Sequence, residues 1–191
     1  MQAYSMIFIC KGGPVYELFL LGKLLARPWY GYEFHQVLNA FVGPSRQVSW
    51  GTIYPLFRRL QAQGLIRPIS RQTSEGGPDR HAYTITAAGK RRFHELMIEE
   101  RKANADYRET FRAKLGNFSR VDNSTRKSVT RNYLQRIVAI QAHTTHHHDL
   151  VQHVASLSDD ERTMIVRAIR HELALVEYEI NWLQKEMAEF L

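Results

Sequence analysis

Hydrophobic positions in this chain recur at helical spacing up to about residue 63, thin into two strand-like stretches between 65 and 86, and return to helical spacing to the end. Residues 15–26 carry Leu18, Leu21, Leu24 and Leu25 on one helical face, and Pro28 punctuates the run. A second helix is expected over 31–41, with Phe34, Val37, Leu38 and Phe41 at core spacing, closed by Gly43-Pro44-Ser45. A third helix ends at Gly64, a common residue just past a helix C-terminus. Pro55 argues that this helix starts late, with Thr52 as its N-cap, because proline is tolerated only near the first turn. Ile53, Leu56, Phe57 and Leu60 then face a core, and Tyr54, Arg58, Arg59 and Gln61 face solvent.

Strands are expected over 65–71 and 80–86, joined by a turn containing Gly76-Gly77-Pro78. Thr86 is a good N-cap for a long helix running to about Arg112. The rear of the chain has no proline, and Gly116 is its only glycine after Gly89. A long helix opens at Asn123-Ser-Thr, and Ser158 with Glu161 forms a capping-box pattern for a last helix. That helix carries Ile169, Leu173, Val176, Ile180, Leu183 and Met187 at alternating spacings of four and three, a heptad seam that Phe190 continues. The fold class expected is mostly α with a small β-wing. An N-terminal winged helix-turn-helix (1–90) is followed by a connecting helix (91–120) and a C-terminal antiparallel helical domain (121–191).

Charge sharpens this division. The chain of 191 residues has a net charge of +7, and residues 1–90 hold ten basic against four acidic side chains, +6 of that total. A basic front joined to a near-neutral rear points to a polyanion partner for the front half. The single cysteine, Cys10, excludes an internal disulfide framework and a multi-cysteine zinc site. No apolar run is long enough to span a membrane, and residues 6–10 make no secretory signal, so a cytoplasmic protein is expected. Gly-x-Ser-x-Gly, P-loop and dinucleotide fingerprints are all missing, so no enzyme and no cofactor are expected.

The third helix has the residues a DNA-reading helix needs. Ser49, Gly51 and Thr52 are short or polar near its N-terminus, where close approach to base edges and phosphates occurs. Arg58, Arg59 and the Tyr54 hydroxyl suit the phosphate backbone, and the helix dipole favours a phosphate at its head. A glycine-rich hairpin ending in Asp79-Arg80-His81 suits a wing that lays Arg80 along the backbone or into a minor groove.

Several blocks together resemble the PadR family of winged-helix transcriptional regulators. They are Tyr16-Glu-Leu, Trp29-Tyr-Gly-Tyr-Glu33, Ser49-Trp-Gly-Thr-Ile-Tyr-Pro-Leu-Phe-Arg-Arg-Leu60, Gly64-Leu-Ile66, Glu75-Gly-Gly-Pro-Asp-Arg80 and Tyr83-Thr-Ile-Thr-Ala-Ala-Gly89. The rear half resembles, more loosely, the long C-terminal helical domain of the larger PadR subgroup, in residues 108–115 and 177–186. The resemblance implies a homodimer built by the C-terminal helices, with one winged helix on each half of a palindrome in double-stranded DNA. For some members it also implies repression relieved by small aromatic acids. Trp50 departs from the pattern, in a slot often held by proline or a smaller residue.

The expected DNA-binding set is Tyr32, Ser49, Gly51, Thr52, Tyr54, Arg58, Arg59, Gly77 and Arg80, with a recognition helix at about 49–63 and a wing at about 71–82. Dimerisation is assigned to Ile169, Leu173, Val176, Ile180, Leu183 and Met187, with the seam also packing inside its own chain. An aromatic effector, for instance a phenolic acid, is assigned to Phe93, Phe111, Tyr133 and Trp182, between the winged helix and the C-terminal helices. His143 and His147 are spaced for a metal, but two histidines without a third ligand are too few, and no metal site is expected. The competing readings are a winged-helix module that docks protein, or a transcriptional activator without small-molecule control.

Overall fold

The computed structural model describes residues 13–44, 46–71, 81–100 and 106–190, with the backbone alone at 70, 71 and 81. Two compact units divide the chain, Met1–Val121 and Asp122–Leu191.

The first unit is built around α1 (Pro14–Ala26), which begins on a proline whose missing amide costs nothing at a helix start. Its residues from Val15 to Gly22, and Leu24, are buried on every side rather than along one stripe. Glu17 is taken into this core because two cations meet it: Arg92 Nε donates at 2.9 Å and Arg59 Nη2 at 3.4 Å. The helix α2 (Gly31–Val42) and the helix α3 (Trp50–Ala62) follow, and Phe34, Leu38, Ile53 and Leu60 are buried among them.

The sheet has three antiparallel strands in the order β1-β3-β2. Strand β2 (Ile66–Arg71) and strand β3 (His81–Ile85) form the expected hairpin, with a register shift between Pro68 and Ser70, where proline has no amide to donate. Strand β1 (Trp29–Tyr30) was not anticipated; it pairs Trp29 with Tyr83 and Tyr30 with Ala82.

Two further expectations need correction. The third helix starts at Trp50, with Ser49 rather than Thr52 at the N-cap, and Pro55 lies inside it. Ser49 O accepts from the amides of Thr52 (2.9 Å) and Ile53 (3.3 Å), so the first turn is complete before the proline. Pro55 then forfeits only its own bond to the carbonyl of Gly51, an exposed residue. The single long helix expected to run on to Arg112 is instead two, α4 (Ala87–Ile98) and α5 (Tyr107–Leu115). The chain turns extended at Glu99, whose carbonyl receives the buried Lys114 ammonium at 2.9 Å. A short 3-10 turn, Phe118–Arg120, ends the unit.

The second unit is a pair of long helices, α6 (Asn123–His153) and α7 (Asp159–Glu189). Asp122 caps α6 by accepting from Thr125 N at 2.7 Å. Ser158 and Glu161 cap α7 reciprocally, as their spacing predicts. Val151, Val166 and Ile169 form one apolar cluster at the end where the loop joins the two helices, with Leu157, Ile165 and Leu173 against it.

Candidate nucleic-acid interface

The segment that joins α2 to α3 is fixed from the α2 side. Gly43 takes φ +84°, where a side chain would be strained, and its amide closes α2 on Asn39 O at 3.2 Å. Asn39 then clasps the segment leading to α3: its Oδ1 accepts from Val48 N at 2.8 Å and its Nδ2 donates to Val48 O at 3.3 Å. The His35 ring lies 2.7 Å from the same carbonyl. A carbonyl can only accept, so His35 carries its proton on Nε2.

This clasp sets the start of α3. Its underside, Ile53, Leu56, Phe57 and Leu60, is buried, and Phe57 packs edge-on to Phe34 at 5.6 Å and against Tyr83 of β3 at 4.7 Å. Burial holds the Tyr83 hydroxyl above its ordinary pKa, with Tyr54 adding and Arg58 opposing. The upper face of α3 is open: Ser49, Trp50, Gly51, Tyr54 and Arg58 are exposed and Thr52 is half-exposed. No acidic side chain lies between Trp50 and Ala62.

The expected DNA-binding residues therefore fall into groups. Ser49, Gly51, Thr52, Tyr54 and Arg58 share the accessible side of α3. Tyr32 is exposed at the start of α2, where its ring stacks on Tyr30 at 5.7 Å. Arg59 leans back toward Glu17, so part of its charge is engaged within the unit. Gly77 and Arg80 lie outside the described residues.

Sequence reasoning did not find His35 and Asn39. It marked Trp50 only as a departure from a family pattern, yet Trp50 is 40% exposed with its ring against His35, centroids 4.2 Å apart and planes 15° apart. Tyr54 continues the row at 5.3 Å. The bulk of Trp50 at a position suited to small residues was the available signal.

Among the expected effector residues, Phe93 and Phe111 are buried in the first unit. Tyr133 is buried in the second, its hydroxyl donating to Glu179, and Trp182 there is half-buried. Of the α7 seam, Ile169, Val176, Ile180 and Leu183 are buried and Leu173 and Met187 are half-buried. A second row on α7 is exposed instead: Met164, Ala168, His171, Leu175 and Tyr178, again at spacings of four and three. Among the described residues, no three His, Cys, Asp or Glu side chains are grouped to hold a metal ion, and no helix is long and apolar enough to cross a membrane.

A helix-turn-helix whose second helix is exposed and free of acids, braced by a β-hairpin, defines the winged-helix class of DNA-binding folds. Residues 20–95 match the model of the transcriptional regulator PadR-like family. An uncharacterized protein of Lysinibacillus sphaericus is 32% identical over 80 residues, which is 42% of this chain and 72% of that relative. The chain belongs to the PadR-like family of transcriptional regulators. Similar solved structures include Bacillus subtilis PadR in complex with operator DNA, 18% identical with a TM-score of 0.42 over 93% of this chain and 99% of that one. The same protein in complex with p-coumaric acid is 19% identical, with a TM-score of 0.38 over 92% and 98% of the two chains. The Vibrio cholerae virulence activator AphA is 21% identical, with a TM-score of 0.37 over 91% and 96%.

Proposed function

We propose that this regulator is a homodimeric repressor that reads a palindromic operator with α3 in the major groove and the β2–β3 wing beside it. The observation that carries this reading is the upper face of α3, which presents Ser49, Thr52, Tyr54 and Arg58 with no acid among them in the more basic half of the chain. The short side chains of Ser49, Gly51 and Thr52 at the head of α3 let backbone amides approach phosphate, and Arg58 supplies charge about two turns further on. The exposed row on α7, Met164, Leu175 and Tyr178, supports pairing with a second copy, because its repeat matches that of a helix seam.

A small aromatic acid is the proposed inducer, and the half-buried Trp182 is the assigned residue that can report its binding. Inducer and operator would favour different states of the dimer and so oppose each other, by about 1–3 kcal/mol in a typical coupled system. Quenching of Trp182 by hydroxycinnamates in the full chain, absent in Trp182→Phe, tests that assignment.

Footprinting on the DNA flanking the protein's own coding region, at two salt concentrations, tests the DNA reading. A protected palindrome is expected, with affinity falling steeply as salt rises. Arg58→Ala and Arg80→Ala should each weaken binding on all sequences alike and reduce the salt slope by about one. Salt slopes unchanged in both variants would show that the DNA face lies elsewhere.

A further inference from the structure

We infer that Trp50 reads a thymine methyl group at one fixed position of each operator half-site, with His35 holding its ring in place. The inference rests on the assignment of α3 to the major groove.

Trp50 is the first residue of α3, at the end of the helix that reaches base edges in helix-turn-helix proteins. An exposed tryptophan has several rotamers, but this one is fixed. His35 covers its ring at 4.2 Å in near-parallel stacking, and the His35 ring is itself pinned to the Val48 carbonyl at 2.7 Å. Asn39 ties the Val48 amide and carbonyl to α2 independently. The ring is therefore ordered before any partner arrives, and little rotamer freedom is left to lose on binding.

The chemistry of the exposed part of the ring narrows what it can read. Indole has one N–H donor, no acceptor and otherwise carbon. Arginine, asparagine and glutamine read bases by paired hydrogen bonds, which indole cannot form. The major groove offers one apolar group, the 5-methyl of thymine, and apolar side chains meet it by contact alone. Ser49 and Gly51, on either side of Trp50, are small and leave the ring as the most prominent apolar feature at this end of α3. Tyr54 extends the aromatic row at 5.3 Å and ends in a hydroxyl suited to phosphate.

The test uses the full chain and a duplex enriched from a randomised pool by the wild-type protein. Each thymidine of that duplex is replaced singly by deoxyuridine, which removes the methyl and leaves the pairing edge unchanged. One symmetric position is expected at which deoxyuridine weakens wild-type binding by about fourfold per half-site, the value for losing one buried methyl-sized group. In Trp50→Ala the thymidine and deoxyuridine duplexes should bind equally at that position, and Trp50→Leu should restore part of the difference. His35→Ala should shrink the thymidine-to-deoxyuridine ratio while Trp50 is still present, an effect that a uniform loss of affinity cannot mimic. Equal binding of every deoxyuridine duplex by the wild type, or the same ratio in wild type and both Trp50 variants, overturns the assignment of Trp50 and leaves the DNA reading standing. Failure of the wild type to enrich any duplex overturns both.

Discussion

A β-carbon built on Gly89 would sit 2.1 Å from the Leu65 carbonyl oxygen and 2.7 Å from Ile85 Cγ1. The first turn of α4 is drawn this close because Thr86 joins it to the end of α3 and the start of β2. Its hydroxyl donates to Gly64 O at 2.7 Å and accepts from Gly89 N at 3.1 Å, and its amide donates to Leu65 O at 3.0 Å. An alanine would push α4 off that carbonyl and strain all three bonds. Gly89→Ala should cost about 1–3 kcal/mol, the range for overpacking a closed site, measured by urea unfolding. Gly31→Ala is the matched control: it lies in the first turn of α2, its β-carbon would meet nothing within 4 Å, and its effect should be close to zero. Similar losses for the two variants would show that close approach is not what demands glycine at 89.

Among the elements, α2 depends on its first turn through Glu33. This carboxylate accepts from Tyr30 N at 3.0 Å and from both terminal nitrogens of Arg27, at 3.1 and 3.2 Å. The Arg27 hydrogen bonds first, and the Tyr30 amide second, hold its pKa below the ordinary glutamate value. A depressed folded pKa contributes stability that is complete above the unfolded value and is lost as pH falls through the folded one. The stability difference between wild type and Glu33→Gln should therefore be full at neutral pH and close in the acid range below the ordinary glutamate pKa. Unfolding curves from pH 7 downward check this, and a pH-independent difference would contradict it. This turn also shows what local sequence can and cannot disclose. The faces of α2, α3 and α7 were legible because burial repeats every three to four residues, and the caps Thr86 and Ser158 were legible because each acts within three residues. Strand β1 was not legible: two residues are strand only because β3, some fifty residues on, pairs with them. The break between α4 and α5 carries no glycine or proline; it is held by Lys114 on Glu99 and by Arg46 on Glu109 at 3.1 Å, contacts that no periodicity encodes. In the site, the exposed face of α3 could be read from amphipathicity, whereas the His35–Trp50 stack depends on how the α2–α3 turn closes.

At the level of the whole molecule, the proposed activity needs two copies, and the exposed row on α7 is the surface proposed to join them. The expected seam largely faces inward, so Leu175 and Tyr178, 53% and 72% exposed, are the better points at which to break a dimer without unfolding the helix pair. Leu175→Ser with Tyr178→Ser should yield a monomer of unchanged helicity in sedimentation and circular dichroism. Operator affinity should then fall by at least about a hundredfold, because the second half-site is no longer bound at high effective concentration. The salt dependence discriminates further. Its slope counts the phosphates neutralised, so a monomer on one half-site should show about half the wild-type slope. A doubly substituted protein that stays dimeric would place the interface elsewhere. A monomer that kept the full slope would show that one winged helix makes all the phosphate contacts, and the palindrome would then have no physical basis.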